Sequence, residues 1–286
     1  MNNFLDPAIL FFIFGVFAGC VKSNLEIPPQ ISRFLSLYLL MALGLKGGFA
    51  LHKSGFTTEI ALSLGLAIFL AVLIPLIGYQ ILRTKLNTFD AAAIAATYGS
   101  VSAVTFITAT QYLDQFNISY GGHMAAAMAL MESPAIILAI VLANKARAAH
   151  ASHIQASIEQ TGISKILHES FTDGAQLLLL GSMVVGLVSG DAGQKLMAPF
   201  SIDLFKGMLA FFLLDMGLMA ARNIQGLRGK PPITLLYAIA SPLSHALIAL
   251  ALCKLIGLPL GNTILLMVLA SSASYIAVPA VLRHAL

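Results

Sequence analysis

Runs of mostly apolar residues recur along the whole chain, each about 20 residues long, which is the helix length that crosses about 30 Å of hydrocarbon. The runs lack the strict alternation of apolar and polar positions that marks the strands of a membrane barrel. The pattern therefore predicts an all-α polytopic membrane protein. Its nine spans are predicted near residues 7–22, 31–51, 58–82, 88–113, 121–144, 174–190, 202–222, 232–256 and 261–286.

The composition supports an integral membrane protein. Hydrophobic residues make up 58% of the 286 residues and charged residues only 10%, which is too few charges to cover a soluble globule of this size. The mean hydropathy is +0.90. The 16 Lys and Arg residues are spread through the loops, so a basic patch of the kind that binds nucleic acid is not expected.

The positions of the basic residues predict the orientation of the chain in the membrane. If the N-terminus lies outside, the external loops hold little beyond Lys53 and Lys195, as the positive-inside rule requires. The basic residues of the predicted cytoplasmic loops are Lys22, Arg83, Lys85, Lys145, Arg147, Lys165, Arg222, Arg228 and Lys230.

One long polar stretch divides the chain into two halves. We predict a first repeat of five spans in residues 1–144, a cytoplasmic linker in residues 145–173, and a second repeat in residues 174–286. Apolar residues in the linker recur with heptad-like spacing, which is typical of amphipathic helices lying on a membrane surface or a partner protein. A solvated linker with some helical tendency fits the same pattern.

The two halves share a pattern of serines within apolar segments. A shift of about 172 positions superposes the segment GSVSAV, residues 99–104, on ASSASYIAV, residues 270–278, and aligns their serines. Because the first repeat has an odd number of spans, the second must be inserted upside down. Two broken helices are therefore expected to meet near the bilayer midplane, with Asn87 and Asp90 capping the first and Asn262 capping the second.

A helix break in lipid exposes amides and carbonyls that need protein, water or a ligand as partners. Half-helix N-termini attract anions, and hydroxyl and carbonyl oxygens suit an alkali cation. We expect sodium to contact Ser102, Thr105 and Ser274. Serines that merely fasten helices together are the structural alternative. The candidate substrate contacts are Gly99, Ser100, Ser102, Thr105, Ser271, Ser272, Ser274 and Tyr275.

Ionisable residues within predicted spans are further candidates. Glu132 and Asp215 are candidates for ion coupling, and a structural hydrogen bond is the alternative role for Glu132. Lys46 and Asp215 occupy equivalent spans of the two halves, so they are expected to neutralise each other. His245 is expected to be a packed, hydrogen-bonded histidine. The sequence contains no nucleophile elbow, zinc-protease motif or P-loop, so an enzyme is not expected.

Four segments in this order, LGLKGGFAL, TYGSVSAVTF, MESPA and SSASYIAVPAVLR, resemble the SbtA family of sodium-dependent bicarbonate transporters of bacteria. The resemblance implies ten spans in two inverted repeats, a core domain that moves against a gate domain, and a homotrimer in the bacterial inner membrane. It places sodium and bicarbonate between the broken fourth and ninth spans. Matching motif positions are Gly99, Ser102, Thr105, Ser272 and Ser274. A small PII-like cytoplasmic regulator is a further implied partner, beside membrane lipid.

Two departures from the family pattern affect the prediction. Tyr275 stands where the bicarbonate transporters have an aspartate, and the chain ends at Leu286 without a tenth span, which suggests a truncated sequence or a shortened paralogue. We expect sodium-coupled uptake of a small anion, with bicarbonate favoured. Sodium- or proton-coupled transport of another small inorganic or organic anion is the first alternative. A membrane sensor or scaffold that binds a cytoplasmic partner is an alternative of another class.

Overall fold

The computed structural model describes residues 6–55, 57–150, 174–227 and 229–274, and the regular structure in these ranges is helical. A π-helical turn, Pro199–Asp203, precedes α8, and a 3₁₀ turn, Ile224–Leu227, follows it. The helices of the described ranges are α1 Pro7–Cys20, α2 Pro29–Ser54, α3 Thr58–Leu82, α4 Thr88–Gly99, α5 Ala103–Gln115, α6 Met124–His150, α7 Gly174–Ala198, α8 Phe205–Asn223, α9 Pro232–Leu255 and α10 Leu260–Ser271.

These helices confirm an all-helical, multi-pass membrane protein. Five stretches of the described residues are long and apolar enough to cross a membrane, whereas α1 and α10 are shorter. The longest, Leu177–Asn223, covers two predicted spans because α7, the π-helical turn and α8 follow one another directly. Gly190, with φ 54° and ψ −143°, breaks the helical backbone inside α7, at the residue where the sixth span is predicted to end. The five stretches are Pro29–Lys53, Thr58–Leu82, Thr88–Gln115, Leu177–Asn223 and Pro232–Leu255.

Helix ends follow local sequence signals in some places and not in others. Asn87 caps α4 as predicted, because its side chain accepts a hydrogen bond from the Asp90 amide at 2.8 Å. The predicted cap at Asn262 is wrong, since Pro259 precedes α10 and Asn262 lies inside its first turn. The Asn262 side chain instead bridges helices, accepting from the Gly121 amide at 2.7 Å and donating to Glu59 at 2.5 Å.

The linker prediction falls largely on residues outside the described ranges. Helix α6 continues to His150, past the predicted end of the fifth span at residue 144. Residues 151–173, which hold the heptad-like pattern, are outside the part of the chain that the structure describes.

The helices pack as two groups, named here by their order in the chain. In the first group, α2 packs along α7 and α1 packs along α8. In the second group, α3, α4 and α6 pack on one another, while α10 contacts α3, α5, α6 and α9. The groups meet where α2 contacts α5 and α6 and where α6 contacts α7.

The outer surface of the bundle is apolar, as a lipid-facing surface requires. On α9, four large side chains spaced by three or four residues form one exposed stripe, in which each side chain is more than half exposed. Such a stripe would be unfavourable in water but matches hydrocarbon. The stripe consists of Leu236, Ile239, Leu243 and Leu247.

Candidate functional site

The first predicted helix break is present, and α10 ends where the second is predicted. The first separates α4, which ends at Gly99, from α5, which begins at Ala103. Between them Ser100 has φ −89° and ψ 171°, and Ser102 has φ −106° and ψ 114°, so the backbone is extended. The second break follows α10, where Ser272 has φ −81° and ψ 161°.

The two break segments contact each other through two hydrogen bonds donated by backbone amides. The Ser102 amide donates to the Ser272 Oγ at 3.0 Å. The Ser274 amide donates to the Thr97 carbonyl oxygen at 2.8 Å. The first break and the segment that follows α10 are therefore in contact, and we call this contact region, residues 97–102 and 271–274, the crossover.

The crossover bonds satisfy groups that the first break leaves without helical partners. In a continuous helix the Thr97 carbonyl would accept from residue 101, and the Ser102 amide would donate to residue 98. Because α4 ends at Gly99, both bonds are lost, and the second break supplies the replacements. Each break is thus stabilised by the other, which removes part of the free-energy cost of unwinding a buried helix.

Ser102 also forms the N-terminus of α5. Its Oγ accepts a hydrogen bond from the Thr105 amide at 3.4 Å, while the Thr105 hydroxyl donates back to the Ser102 carbonyl at 2.9 Å. The first turn of α5, with its free amides and positive dipole end, therefore starts at the crossover. Residues 275–286, which follow the second break, lie outside the described residues.

The serine hydroxyls at the crossover differ in their hydrogen-bond partners. Ser271 donates to the Val268 carbonyl at 3.2 Å, so it bonds back to its own helix. Ser272 donates to the Leu269 carbonyl at 3.0 Å besides accepting from Ser102. The Ser100 hydroxyl is fully buried and has no hydrogen-bond partner among the described residues.

The structure describes the surroundings of Gly99 but not those of Tyr275, the last of the candidate substrate residues. A Cβ on Gly99 would lie 2.6 Å from the Cγ of Pro75, so this glycine permits the close approach of α4 to α3. Tyr275 is outside the residues that the structure describes. The role of Tyr275, in place of the aspartate of the bicarbonate transporters, therefore stays a prediction.

The expected pairing of Lys46 with Asp215 is wrong. Asp215 is buried on α8 and accepts a hydrogen bond from the Ser32 hydroxyl at 2.5 Å. Fourteen residues separate Ser32 from Lys46 on α2 (46 − 32 = 14), which is about 21 Å along a helix. The equivalent spans do pack together, but the two charges lie at different depths.

Lys46 pairs instead with a residue that the sequence analysis did not single out. Its Nζ lies 3.5 Å from a carboxylate oxygen of Asp114 and 4.6 Å from the centre of the Phe205 ring. Asp114 lies in the last turn of α5, where a charge looks like an ordinary interfacial residue. The sequence signal was the lysine within an apolar span, which requires a partner somewhere.

The other ionisable candidates lie apart from one another. Glu132 is half-buried on α6, the helix that packs against α3 and α4. Asp215 belongs to α8, which packs mainly against α1 and α2. His245 is buried, with its ring 5.7 Å from the Tyr98 ring, which confirms that it is packed; its Nδ1 has no hydrogen-bond partner among the described residues, so the expected hydrogen bond at that nitrogen is not found. The described residues include no group of three or more His, Cys, Asp or Glu that could hold a metal ion.

Comparison with known proteins identifies the family. The family model described as the Na+-dependent bicarbonate transporter superfamily matches residues 7–286, which include both breaks and both helix groups. No curated protein matched the chain. Since the matched region covers nearly the whole sequence, the chain belongs to the Na+-dependent bicarbonate transporter superfamily.

Proposed function

We propose that this protein is a secondary transporter that carries a small anion, bicarbonate first, into the cell together with sodium, and that the crossover is its substrate site. The observation that carries the proposal is the pair of hydrogen bonds between the breaks, from the Ser102 amide to the Ser272 Oγ and from the Ser274 amide to the Thr97 carbonyl. Discontinuous helices that meet inside the membrane are the usual substrate site of secondary transporters. The family membership supports sodium and bicarbonate as the transported pair.

The chemistry of the crossover favours sodium over protons as the coupling ion. Its described residues provide hydroxyl and carbonyl oxygens, which suit sodium, and contain no carboxylate that could carry a proton. We assign Ser102, Thr105 and Ser274 as sodium contacts. The first amides of α5 and the unpartnered Ser100 hydroxyl remain for the anion.

We further propose that the two helix groups move against each other to alternate access. The crossover lies within the second group, while the contacts between the groups among the described residues involve α2, α5, α6 and α7. The halves 1–144 and 174–286 would then be inverted repeats of one another. In this arrangement the second group is the moving core and the first group is the gate.

The setting of the protein in the cell follows from the same proposal. We place it in the bacterial inner membrane with the N-terminus outside, as the distribution of basic residues favours. A homotrimer and a PII-like regulator at the linker, residues 145–173, complete the proposal. The family membership supports transport rather than an enzymatic function.

A second candidate function is transport of a different small anion. It is favoured by Tyr275, whose phenol donates a hydrogen bond but carries no negative charge at neutral pH. A site with this residue would bind its anion and sodium with a different charge balance from a site with an aspartate.

Uptake of labelled bicarbonate into proteoliposomes tests the proposal. A sodium gradient directed inward should drive accumulation, and a potassium gradient of the same size should not. Protein-free liposomes measure the background from permeation of dissolved CO₂. Uptake that is unchanged in sodium-free buffer would contradict sodium coupling, and uptake of formate or nitrate in place of bicarbonate would favour the second candidate function. A protein with no anion uptake that still bound a cytoplasmic partner would favour the sensor or scaffold.

A further inference from the structure

A cavity of about 230 Å³ lies between the two helix groups, on the side where α5 ends and α6 begins. One face of α2 lines it through residues spaced three or four apart, and α5 lines it from Phe106 to Asp114. Eight residues of helix correspond to about 12 Å, so the cavity extends along most of α5. The α2 residues of the lining are Leu43, Lys46, Gly47 and Ala50.

The lining of the cavity comes nearest to the crossover in sequence at Phe106. Phe106 is buried and lies one helical turn after Ser102, whose carbonyl accepts a hydrogen bond from the Phe106 amide at 3.1 Å. The other end of α5 contributes Asp114, whose side chain is 43% exposed. The cavity lining therefore runs from an exposed carboxylate to a residue one turn away from Ser102.

Lys46 supplies the positive charge in the cavity lining, and its ammonium group can still donate hydrogen bonds to a ligand. Its distance of 3.5 Å from Asp114 exceeds the 2.7–2.9 Å of a charge-assisted hydrogen bond. Lysine has three N–H donors, and the Phe205 ring, 4.6 Å away, accepts only weakly. An anion in the cavity would thus meet a lysine that is close to a carboxylate but not tightly bonded to it.

The remaining lining suits a small ligand. A Cβ on Gly47 would lie 2.8 Å from the Gly122 carbonyl, so α2 approaches the start of α6 closely and narrows the cavity. Burial, the charge of Asp114 and a side-chain hydrogen bond with Asp114 raise the pKa of Tyr120, so its phenol stays protonated beside that carboxylate. At about 30 Å³ for each water, 230 Å³ holds roughly seven waters, or a planar anion of a few atoms with part of its hydration.

We propose that this cavity is an entrance site for a small monovalent anion of the bicarbonate type, with Lys46 as its cationic contact and Asp114 as the carboxylate that competes for Lys46. The inference rests on the proposed function, in that the crossover beyond Phe106 is taken as the transport site. When the anion binds, the Lys46 ammonium pairs with the anion instead of with the Asp114 carboxylate. When the anion moves inward, the Lys46–Asp114 ion pair forms again. Because Lys46 is on α2 and Asp114 is on α5, anion binding also loosens one contact between the two helix groups.

Because the anion and Asp114 compete for Lys46, substitutions at Lys46 and at Asp114 should change the half-saturating bicarbonate concentration in opposite directions. Lys46→Met should raise the bicarbonate concentration for half-maximal uptake about tenfold, the size expected for losing one charge-assisted contact. Asp114→Asn should lower it by about threefold, because Lys46 is then free. Lys46→Arg should stay near the wild type. If the pair were only a latch between the helix groups, both single changes would break the same contact and shift uptake in the same direction, which would overturn the proposal.

Lys53 provides a matched control on the same helix. It pairs with Asp191 at 3.6 Å and donates to Gln194 at 2.7 Å, outside the cavity. Lys53→Met should leave the half-saturating concentration unchanged. An effect equal to that of Lys46→Met would mean that any lysine of α2 matters only through surface charge, and this too would overturn the proposal. If Lys46→Met does not fold, Asp114→Asn decides: a lowered half-saturating concentration supports the site, and an unchanged or raised one rejects it.

A binding measurement separates this inference from the proposed function. The midpoint of thermal unfolding is measured with sodium salts of bicarbonate, formate and nitrate, against gluconate at the same ionic strength, in a Ser102→Ala, Ser274→Ala background. A stabilising shift that disappears with Lys46→Met supports the entrance site even though the crossover is disabled. The absence of any Lys46-dependent shift rejects the entrance site, while loss of uptake in the serine variants alone would still support the crossover as the transport site.

Discussion

The Ser102 amide and the Ser272 Oγ, 170 residues apart in sequence, form a buried hydrogen bond of 3.0 Å that joins the two broken helices. The Ser102 amide has no helical hydrogen-bond partner because the first break interrupts the helix, and the hydroxyl belongs to the second break. Neither break is therefore an isolated defect in its helix. A change in one break is expected to disturb the other, which is a property that a substrate site between two moving half-helices requires.

Ser272→Ala tests this bond. The change leaves the Ser102 amide buried and unpaired, so the free energy of unfolding should fall by about 1–3 kcal/mol and uptake should fall with it. Ser271→Ala is the matched control, because the Ser271 hydroxyl bonds only to the Val268 carbonyl of its own helix. Its stability should change by less than about 0.5 kcal/mol. Equal losses for both variants, measured by thermal unfolding in detergent and by uptake, would show that the interhelical bond has no special importance.

Ser100→Ala separates binding from stability. Its hydroxyl has no partner among the described residues, so removing it loses no protein hydrogen bond and should keep or raise the unfolding temperature. If the hydroxyl contacts the anion, uptake should need about ten times more bicarbonate. Ser63→Ala on α3 is the control, since its buried hydroxyl is also unpartnered there but lies outside the crossover. Unchanged uptake in Ser100→Ala would remove this hydroxyl from the site.

The contact between the two serine-bearing segments could be predicted from sequence through the repeat hypothesis. Ser100 and Ser102 align with Ser272 and Ser274 under one shift, and inverted repeats bring equivalent segments together. The N-cap of α4 could also be predicted from sequence, since Asn87 and Asp90 interact within one helical turn. Both predictions needed only spacing along the chain.

The partner of Lys46 could not be predicted in this way. Repeat equivalence indicates which helices are neighbours, but not the depth or rotation at which two side chains face each other. Asp215 was therefore assigned to Lys46, whereas α2 presents Ser32 to Asp215 and Lys46 to Asp114. The cavity beside Lys46 was missed for the same reason, because its lining comes from α2, α5 and the connection to α6.

Double-mutant cycles should confirm the corrected pairing of Asp215. Ser32→Ala and Asp215→Asn should show a coupling energy of about 1–2 kcal/mol in thermal or chemical unfolding, because each change removes the same buried hydrogen bond. Lys46→Met and Asp215→Leu should be additive within about 0.5 kcal/mol, since the two side chains have different partners. Rescue of one of these two changes by the other would instead restore the pairing that the structure contradicts.

Gly99→Ala should destabilise the protein through the packing of α4 on α3. The added Cβ would lie 2.6 Å from the Pro75 Cγ and 3.1 Å from the Ala71 carbonyl oxygen, so α4 must move. Overpacking of this kind costs about 1–3 kcal/mol, and the displacement would reach the neighbouring Ser100 and the bonds of the crossover. Both the unfolding temperature and uptake should therefore fall.

A compensating change and a control make the argument for Gly99 specific. Pro75→Ala removes the Cγ and Cδ atoms that the new methyl group would meet, so the double variant should recover part of the stability lost in Gly99→Ala. Gly65→Ala, also on α3, adds a Cβ that has no other atom within 4 Å, and should be neutral or stabilising by up to about 1 kcal/mol through helix propensity. If Gly99→Ala unfolds at the wild-type temperature yet loses uptake, the glycine contacts the substrate directly. Loss of both properties, with partial recovery of both in the double variant, assigns it instead to the packing that holds the first break in place.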